Sequence, residues 1–290
     1  MTVSPTSLAR RFPSYFVFGL AIIALAEGGL FAGIEVVGLY FTPLVWTGYI
    51  MVVDAILYVR RGRSYLQGRR RRLLWLLPWS IVCWLIFEGY NLYIQNWSYH
   101  GLPQNYAARL LGYVWSFATI FPSVLLTAEL WETVIHQKQG RKQRMLTRRL
   151  LTVLPVLGAT CLIVPLVLDQ ADAAKLFALV WIGFVFLLDP INSVAGRSSI
   201  ISDLANGRSA RLWALFLAGL TCGLLWEFWN YWATARWTYS VPIDFVGPRV
   251  FEMPLLGFVG FLPFSVECFV MNEFFYVLFP RLDVERQHSC

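Results

Sequence analysis

The chain has 290 residues, of which 58% are hydrophobic, 17% aromatic and 14% charged. A soluble globular domain carries about 25% charged residues, so this composition excludes that class and indicates an integral membrane protein. The formal net charge is +7, but the basic residues stand in short clusters between apolar runs. That pattern signals membrane topology and argues against nucleic-acid binding.

Eight apolar runs are long enough to be transmembrane helices, since roughly 20 residues cross about 30 Å of hydrocarbon. They cover about 14–33, 37–59, 73–94, 107–131, 150–168, 174–190, 211–232 and 252–279. No small-residue cleavage site follows the first run, so we expect a retained helix and not a signal peptide. The predicted fold class is an all-α integral membrane protein with about eight transmembrane helices.

The distribution of arginine and lysine predicts the orientation of these helices. Basic residues gather before the first run, at 60–72, at 138–149, at 197–211 and in the tail, all on one side of an eight-helix arrangement. Because loops rich in positive charge stay in the cytoplasm, we expect both termini to be cytoplasmic, in a bacterial inner membrane. Residues 198–207 are expected to form a short interfacial helix between a serine cap and a glycine.

Cysteines and histidines argue against several kinds of site. The five cysteines show no CxxC spacing, so we expect neither a disulfide framework nor a zinc site. The histidines His100, His136 and His288 fall in loops or the tail, which removes the intramembrane clusters that a non-haem iron oxidase needs. A Walker motif, Gly-x-Ser-x-Gly and paired Asp-x-x-Asp motifs are also missing, so pyrophosphate transfer and serine hydrolysis are not expected.

An internal repeat divides the chain, as matching motifs recur at a nearly fixed offset. An offset of about 139 residues aligns Glu88 and Asn91 with Glu227 and Asn230. With one or two added residues it also aligns Trp97, Tyr99 and Pro122 with Trp237, Tyr239 and Pro263, and a shorter offset matches Asp54 with Asp189. Each half has an even number of spans, so we expect two parallel four-helix repeats, 1–140 and 141–290, about an axis along the membrane normal.

Several polar residues near helix ends have simpler interpretations. Asp54 and Asp189 are each followed by Gly-Arg-Ser, and we expect each carboxylate to pair with the neighbouring arginine. The Glu129-x-x-Glu132 motif could ligate a metal, but its place at a basic helix end favours ion pairing. The arginine clusters are interpreted as topology determinants, with contact to anionic lipid as a secondary role.

The acids inside the spans are the candidate functional groups, because ionisable residues there are costly and face an interior or a wet cavity. Glu88 and Glu227 each precede an asparagine by three residues, which puts both polar groups on one helix face. We expect the two faces to meet at one central cavity with the Trp-x-Tyr motifs at its mouth. The alternatives are a carboxyl that only joins helices by hydrogen bonds, and an ordinary interfacial belt of aromatic residues.

A Trp-x-Tyr loop followed by a helix with proline and glutamate occurs at Trp237, Tyr239, Pro263 and Glu267, and in part at Trp97, Tyr99 and Pro122. This doubled arrangement resembles the lycopene-cyclase domain family of membrane proteins, which cyclise or otherwise modify carotenoid ends without a metal. Where that family shows Pro-x-Glu-Glu, this chain has Pro263-Phe264-Ser265-Val266-Glu267. The segment Phe87-Glu88-Gly89-Tyr90 is similar to the membrane sterol-isomerase family, in which a buried acid protonates a ring double bond.

The first functional hypothesis is an intramembrane enzyme that modifies an isoprenoid, carotenoid-like or sterol-like, or another apolar lipid by proton transfer from a carboxylic acid. The reaction would be of the cyclase, isomerase or hydratase type, with no cofactor and no metal. The predicted catalytic residues are Glu227 as the working acid, with Glu88, Asn230, Asn91 and Glu267; those predicted to contact substrate are Trp237, Tyr239, Trp97, Tyr99, Trp226, Trp229 and Glu252.

Two other hypotheses stay open. A lipid or small-molecule binding protein or transporter would use the same acidic cavity to bind a polar head or a coupling proton between parallel halves. A structural membrane subunit would use the acids only for packing. The expected partner is a membrane lipid or isoprenoid and not nucleic acid, and the oligomeric state is left open.

Overall fold

The computed structural model describes residues 10–137, 146–240 and 248–283. Its helices are α1 Ser14–Phe31, α2 Glu35–Leu39, α3 Phe41–Arg61, α4 Arg70–Ile94, α5 Tyr106–Trp131, α6 Arg148–Val167, α7 Gln170–Lys175, α8 Ala178–Val194, α9 Ile200–Ala205, α10 Ala210–Trp232 and α11 Phe261–Leu278. The strands are β1 Trp97–His100, β2 Arg236–Tyr239, β3 Arg249–Val250 and β4 Met253–Pro254, and 3₁₀ turns cover Leu255–Gly260 and Pro280–Leu282. The predicted cytoplasmic termini and most of the basic cluster at 138–149 lie outside the described residues.

Within the described ranges, seven helices are long and apolar enough to cross a membrane. They are α1, α3, α4, α5, α6, α10 and the segment Leu255–Leu278, which ends in α11. The predicted run at 174–190 instead divides between α7 and α8, and α8 has 17 residues. At 1.5 Å per residue α8 spans about 26 Å, less than the hydrocarbon core. The protein is a mostly helical membrane protein, and its described ranges contain seven full-length candidate spans and one shorter apolar helix.

The helices of the two halves pack in the same order. α1 packs on α3, α3 on α5 and α5 on α4; in the second half α6 packs on α8, α8 on α11 and α11 on α10. The short helices α2 and α7 stand at matching places, before α3 and α8. α1 and α6 are peripheral and expose apolar side chains, with Leu25 73% and Val156 63% exposed. The two halves meet mainly where α5 contacts α10.

Glycines allow close helix crossings in both halves. A Cβ added to Gly19 of α1 would lie 2.8 Å from the carbonyl oxygen of Gly48 in α3. A Cβ added to Gly158 of α6 would lie 2.7 Å from the carbonyl oxygen of Gly183 in α8. Comfortable contacts between heavy atoms need about 3.5 to 4.0 Å, so a larger residue would push these helices apart. Small residues at such crossings are what lets membrane helices approach closely.

Strands β1 and β2 join the two halves beyond the ends of α4 and α10. They pair antiparallel, with Trp97 opposite Tyr239, Ser98 opposite Thr238 and Tyr99 opposite Trp237. The tryptophan of each Trp-x-Tyr motif therefore lies opposite the tyrosine of the other. A two-fold rotation centred between the two middle residues would map this pairing onto itself.

Asp54 and Asp189 anchor the loops that follow α3 and α8. Asp54 accepts hydrogen bonds from Ser64 Oγ (2.6 Å) and Leu66 N (3.0 Å). Asp189 accepts two bonds of 2.8 Å from successive backbone nitrogens at the start of α9. The prediction that each aspartate pairs with the neighbouring arginine is wrong. Hydroxyl and backbone N–H groups of the following segment donate to each carboxylate instead.

Helix α9 lies inside the stretch 198–207 that was predicted to form a short helix. Ser199 is its N-cap and accepts a hydrogen bond from Ser202 N at 3.1 Å. Gly207 follows the helix with a φ of 71°, in the left-handed region that favours glycine. The predicted start and stop signals are thus both used.

The Glu129-x-x-Glu132 motif forms ion pairs, as predicted. Both terminal nitrogens of Arg69 contact Glu129, at 2.8 and 2.5 Å, and Arg61 lies 3.2 Å from Glu132. Among residues 10–137, 146–240 and 248–283, no group of three or more His, Cys, Asp or Glu side chains is placed to hold a metal ion.

Ion pairs also connect the two halves at this end of the bundle. Arg72 of α4 lies 3.4 Å from Glu273 of α11, and Arg211 of α10 lies 3.6 Å from Glu132, which directly follows α5. The offset of 139 that aligns the two glutamate motifs also aligns Arg72 with Arg211. Each half therefore supplies an arginine to an acid of the other half.

Candidate functional site

Asn91 and Asn230 attach the two strands to the helices that precede them. Asn230 Nδ2 donates to the Trp237 carbonyl oxygen at 2.8 Å, and Asn230 Oδ1 accepts from Trp237 N at 2.9 Å. Asn91 makes the same two bonds to Trp97, at 2.8 and 3.2 Å. These amides therefore bind backbone groups and position the Trp-x-Tyr motifs over the helix ends. They are positioning residues in this geometry.

The tyrosine of each motif donates a hydrogen bond to the glutamate of its own half. Tyr239 OH lies 2.7 Å from Glu227 Oε1, and Tyr99 OH lies 2.6 Å from Glu88 Oε1. Burial of each hydroxyl, with the adjacent carboxylate second, raises the pKa of both tyrosines well above their usual range. Both hydroxyls therefore remain protonated donors at neutral pH.

Glu88 is held by three donors on one oxygen. Its Oε1 accepts from Trp84 Nε1 (2.9 Å) and Trp97 Nε1 (3.2 Å) in addition to the Tyr99 hydroxyl. The side chain is half-buried. A carboxyl with this many donors is well satisfied where it stands, and the geometry fits the interpretation of a group that joins structural elements.

Glu227 has far fewer partners. Its side chain is 0% exposed, its Oε1 accepts only from Tyr239, and its Oε2 has no hydrogen-bond partner among the described residues. The indole of Trp237 donates to the Tyr239 hydroxyl at 2.7 Å instead of to the carboxyl. Buried polar atoms are nearly always paired, so the free oxygen of Glu227 calls for a functional explanation.

Next to Glu227 lies a cavity of about 1040 Å³, which we call the aromatic cavity. Its wall includes residues from the first halves of α3, α8 and α11, from α5 as far as Ile120, from α4 at Trp84 and Phe87, and from α10 between Phe216 and Glu227. Ligand pockets usually have about 300 to 1,000 Å³, so this volume suits a large apolar molecule. Its wall is rich in aromatic rings from both halves, among them Trp46, Trp84, Phe87, Phe117, Phe177, Trp181, Trp226, Phe261 and Phe264.

The aromatic cavity brings together half of the residues predicted from sequence. Its wall includes Glu227, Trp226, Trp97, Tyr99, Trp237 and Tyr239. The residues that do not line it are Glu88, Asn91, Asn230, Glu252, Glu267 and Trp229. The sequence predicts that both glutamates face one cavity, but only Glu227 lines it. Glu88 is enclosed by the rings of the tryptophans and the tyrosine that donate to it.

The other acids stand apart from the wall. Glu267 is fully buried in α11, and neither of its oxygens has a hydrogen-bond partner within the described residues. Glu252 lies 3.7 Å from Arg236. The indole of Trp229 donates to Glu27 Oε1 at 3.2 Å, so that tryptophan joins α10 to α1.

Sequence reasoning missed several wall residues. Trp84 precedes Glu88 by one helical turn, and this i, i+4 spacing is a signal that was available. Trp46 lies 1% exposed in α3 and packs edge-on against Trp229, with ring centroids 5.1 Å apart. Nothing in the local sequence distinguishes Trp46 from the other aromatics of an apolar run, since its place depends on how α3 meets α10.

Comparisons with known proteins match no family model, no curated protein and no solved structure. The resemblance to the lycopene-cyclase domain family therefore stays a prediction from a few residues. Of these, Trp97, Tyr99, Trp237, Tyr239 and Pro263 line the aromatic cavity. The geometry of the site is therefore the basis on which function is inferred.

Proposed function

We propose that this protein is an intramembrane enzyme that binds an isoprenoid or similar apolar lipid in the aromatic cavity and transfers a proton to it from Glu227. One observation carries the proposal: the Glu227 carboxyl is fully buried on the cavity wall, with one oxygen bound by Tyr239 and the other without a partner. Glu227 is taken as the neutral acid, with Oε1 accepting from Tyr239 and Oε2 carrying the proton.

The proposed reaction begins when the O–H bond at Oε2 breaks and the proton adds to one carbon of a double bond. The other carbon becomes a carbocation, and Glu227 becomes a carboxylate. Nearby ring faces on the wall, such as those of Trp226 and Phe261, attract the cation, each by roughly 0.5 to 2 kcal/mol. In the isomerase and cyclase routes, the mainly apolar wall disfavours water, which would otherwise trap the cation.

The cation then has two routes to product. In an isomerase, the cation loses a proton from a neighbouring carbon. In a cyclase, a second double bond first attacks the cation and closes a ring, and the new cation then loses a proton in the same way. The Glu227 carboxylate accepts that proton, so the acid is regenerated. In a hydratase, the oxygen of a water molecule adds to the cation and its proton returns to Glu227. In both routes general acid and general base are the same residue.

The experiment that tests the proposal is mass spectrometry of lipid extracts from cells that express the wild type, Glu227→Gln or Glu88→Gln. Glutamine keeps the shape of glutamate and an acceptor oxygen but has no transferable proton. We expect a product lipid in wild-type and Glu88→Gln cells and none in Glu227→Gln cells, at equal levels of inserted protein. Full activity of Glu227→Gln would contradict the proposal. Unchanged lipid chemistry with an altered lipid distribution would favour a binding protein or transporter.

We also propose that the chain consists of two parallel four-helix repeats, 1–140 and 141–290, in a bacterial inner membrane with both termini cytoplasmic. The identical bonding of Asn91 and Asn230 supports it, as do the glycine crossings of α1 with α3 and α6 with α8. Reporter enzymes fused after Cys290 test the orientation, since activity in the periplasm would contradict it.

A further inference from the structure

We infer that the ligand of the aromatic cavity is an amphipathic lipid with an anionic phosphate headgroup, bound with its headgroup at Arg109 and Arg249 and its chain in the aromatic interior. This inference rests on the proposed function only in taking the cavity as the substrate site. It names the substrate class, and it does not depend on the proton transfer.

The shape of the cavity suits a lipid chain. Phe216 and Glu227 both line it and both belong to α10. The 11 residues between these positions correspond to about 16 Å along the helix axis, and the helix continues to Trp232 beyond Glu227. The interior is therefore an elongated apolar space along the direction of the helices, with Glu227 nearer the end that carries β1 and β2.

The charges of the wall are distributed unequally along this length. Four basic residues belong to the wall, and all lie near the end with the strands: Arg109 in the first turn of α5, Lys175 at the end of α7, Arg236 in β2 and Arg249 in β3. The wall contains one acid, Glu227, within its described residues. An apolar interior with a cationic end is the complement of an amphipathic anion.

Two of these four cations have no carboxylate partner among the described residues. Lys175 is neutralised by Asp172 at 2.7 Å, and Arg236 lies 3.7 Å from Glu252. Among the residues that the structure describes, neither Arg109 nor Arg249 forms an ion pair; Arg109 Nε donates to the Pro103 carbonyl oxygen at 3.1 Å, which leaves the other nitrogens of its guanidinium for an anion. Arg249 is exposed and Arg109 is half-buried.

A phosphate is the anion that best fits this pair. Guanidinium groups bind phosphate by two parallel N–H···O bonds, and such charge-assisted bonds are about twice as strong as neutral ones. A wholly apolar lipid would leave both guanidinium groups without a partner at the entrance of an apolar space. The headgroup at the entrance would also place the first double bonds of an isoprenoid chain near Glu227.

The test measures binding of two probes with the same C20 isoprenoid chain, a geranylgeranyl monophosphate and the corresponding alcohol, to the purified full chain in a neutral detergent. Quenching of tryptophan fluorescence reports binding, because the wall contains several indoles. The test variant carries both Arg109→Gln and Arg249→Gln. The two control variants are Glu227→Gln and Arg148→Gln; Arg148 is an exposed arginine at the start of α6 that does not line the cavity. Inorganic phosphate is titrated separately as a competitor.

We expect the wild type to bind the monophosphate at least tenfold more tightly than the alcohol, with a preference that falls as salt rises. The double arginine variant should bind both probes equally, while Arg148→Gln and Glu227→Gln keep the preference. Equal affinity of the wild type for both probes would overturn the inference, as would a preference that survives in the double variant. Binding of inorganic phosphate without binding of the lipid would overturn it too. The two proposals are tested separately by Glu227→Gln. This variant should form no product in cells, as the proton transfer requires, and should still bind the monophosphate more tightly than the alcohol, as the headgroup site requires.

Discussion

The hydroxyl of Tyr239 has two hydrogen bonds whose removal has a calculable effect. It donates to Glu227 Oε1 and accepts from Trp237 Nε1, both at 2.7 Å. Tyr239→Phe leaves the buried Glu227 carboxyl without its donor, at about 1 to 3 kcal/mol, and removes the acceptor of the half-buried Trp237 indole, at about 1 kcal/mol. We expect the free energy of unfolding to fall by about 2 to 4 kcal/mol.

Tyr99→Phe is the matched control, because Tyr99 occupies the same place in the first half. Its hydroxyl donates to Glu88 Oε1 at 2.6 Å, but Trp84 and Trp97 donate to the same oxygen. The variant therefore removes one bond without leaving the carboxyl bare, and we expect a loss of about 1 kcal/mol. The two substitutions are chemically identical, so their difference reports the difference between the two glutamates.

Denaturant titration of both variants in the same mild detergent measures these free energies. A difference above about 1.4 kcal/mol corresponds to more than a tenfold difference in the unfolding equilibrium constant. Product formation in cells should fall in Tyr239→Phe and persist in Tyr99→Phe. Equal destabilisation of the two variants would refute the reasoning, since it would mean that Glu227 has other partners or that Glu88 depends on its tyrosine alone.

Two further predictions concern packing and charge. Gly158→Ala places a methyl group against Gly183 and should destabilise the protein by about 1 to 3 kcal/mol in thermal unfolding, whereas Gly28→Ala, which meets nothing within 4 Å, should be neutral or slightly stabilising. Glu273→Gln removes an acid with a 5% exposed side chain that pairs with arginines and should cost about 3 to 5 kcal/mol. Glu132→Gln, at 28% exposed, should cost about 1 kcal/mol or less; equal costs would contradict the burial argument.

The sequence predicts the helices well because their apolar runs are long and bounded by charge. The run at 107–131, for example, lies within one residue of α5, Tyr106–Trp131. It predicts less well where a run contains a break. The run at 37–59 contains Pro43, and the structure divides that stretch into α2 and α3. Proline lacks an N–H, and its ring collides with the carbonyl four residues before it in a helix; for Pro43 that carbonyl belongs to Leu39, the last residue of α2. A run that is continuously apolar therefore still breaks at this point.

From the sequence, only the arrangement of polar residues on one face of a helix is predictable for this site. The Glu-x-x-Asn spacing predicts that Glu227 and Asn230 share a face, but it does not reveal that the amide binds the backbone of Trp237 in a following strand. The pairing of β1 with β2 joins residues about 140 positions apart, and no local pattern encodes it. The basic residue Arg249 near the cavity entrance likewise takes its place through tertiary contacts.

The two glutamates differ in part because of one position on the preceding helical turn. Four residues before Glu88 stands Trp84, whose indole donates to it; four residues before Glu227 stands Gly223, where any added side chain would collide with the ring of Phe261. The space that an indole takes beside Glu88 is thus filled beside Glu227 by a ring that has no hydrogen-bond donor. Because Phe261 also lines the aromatic cavity, the same change removes a donor from the carboxyl and adds an aromatic face to the wall next to it.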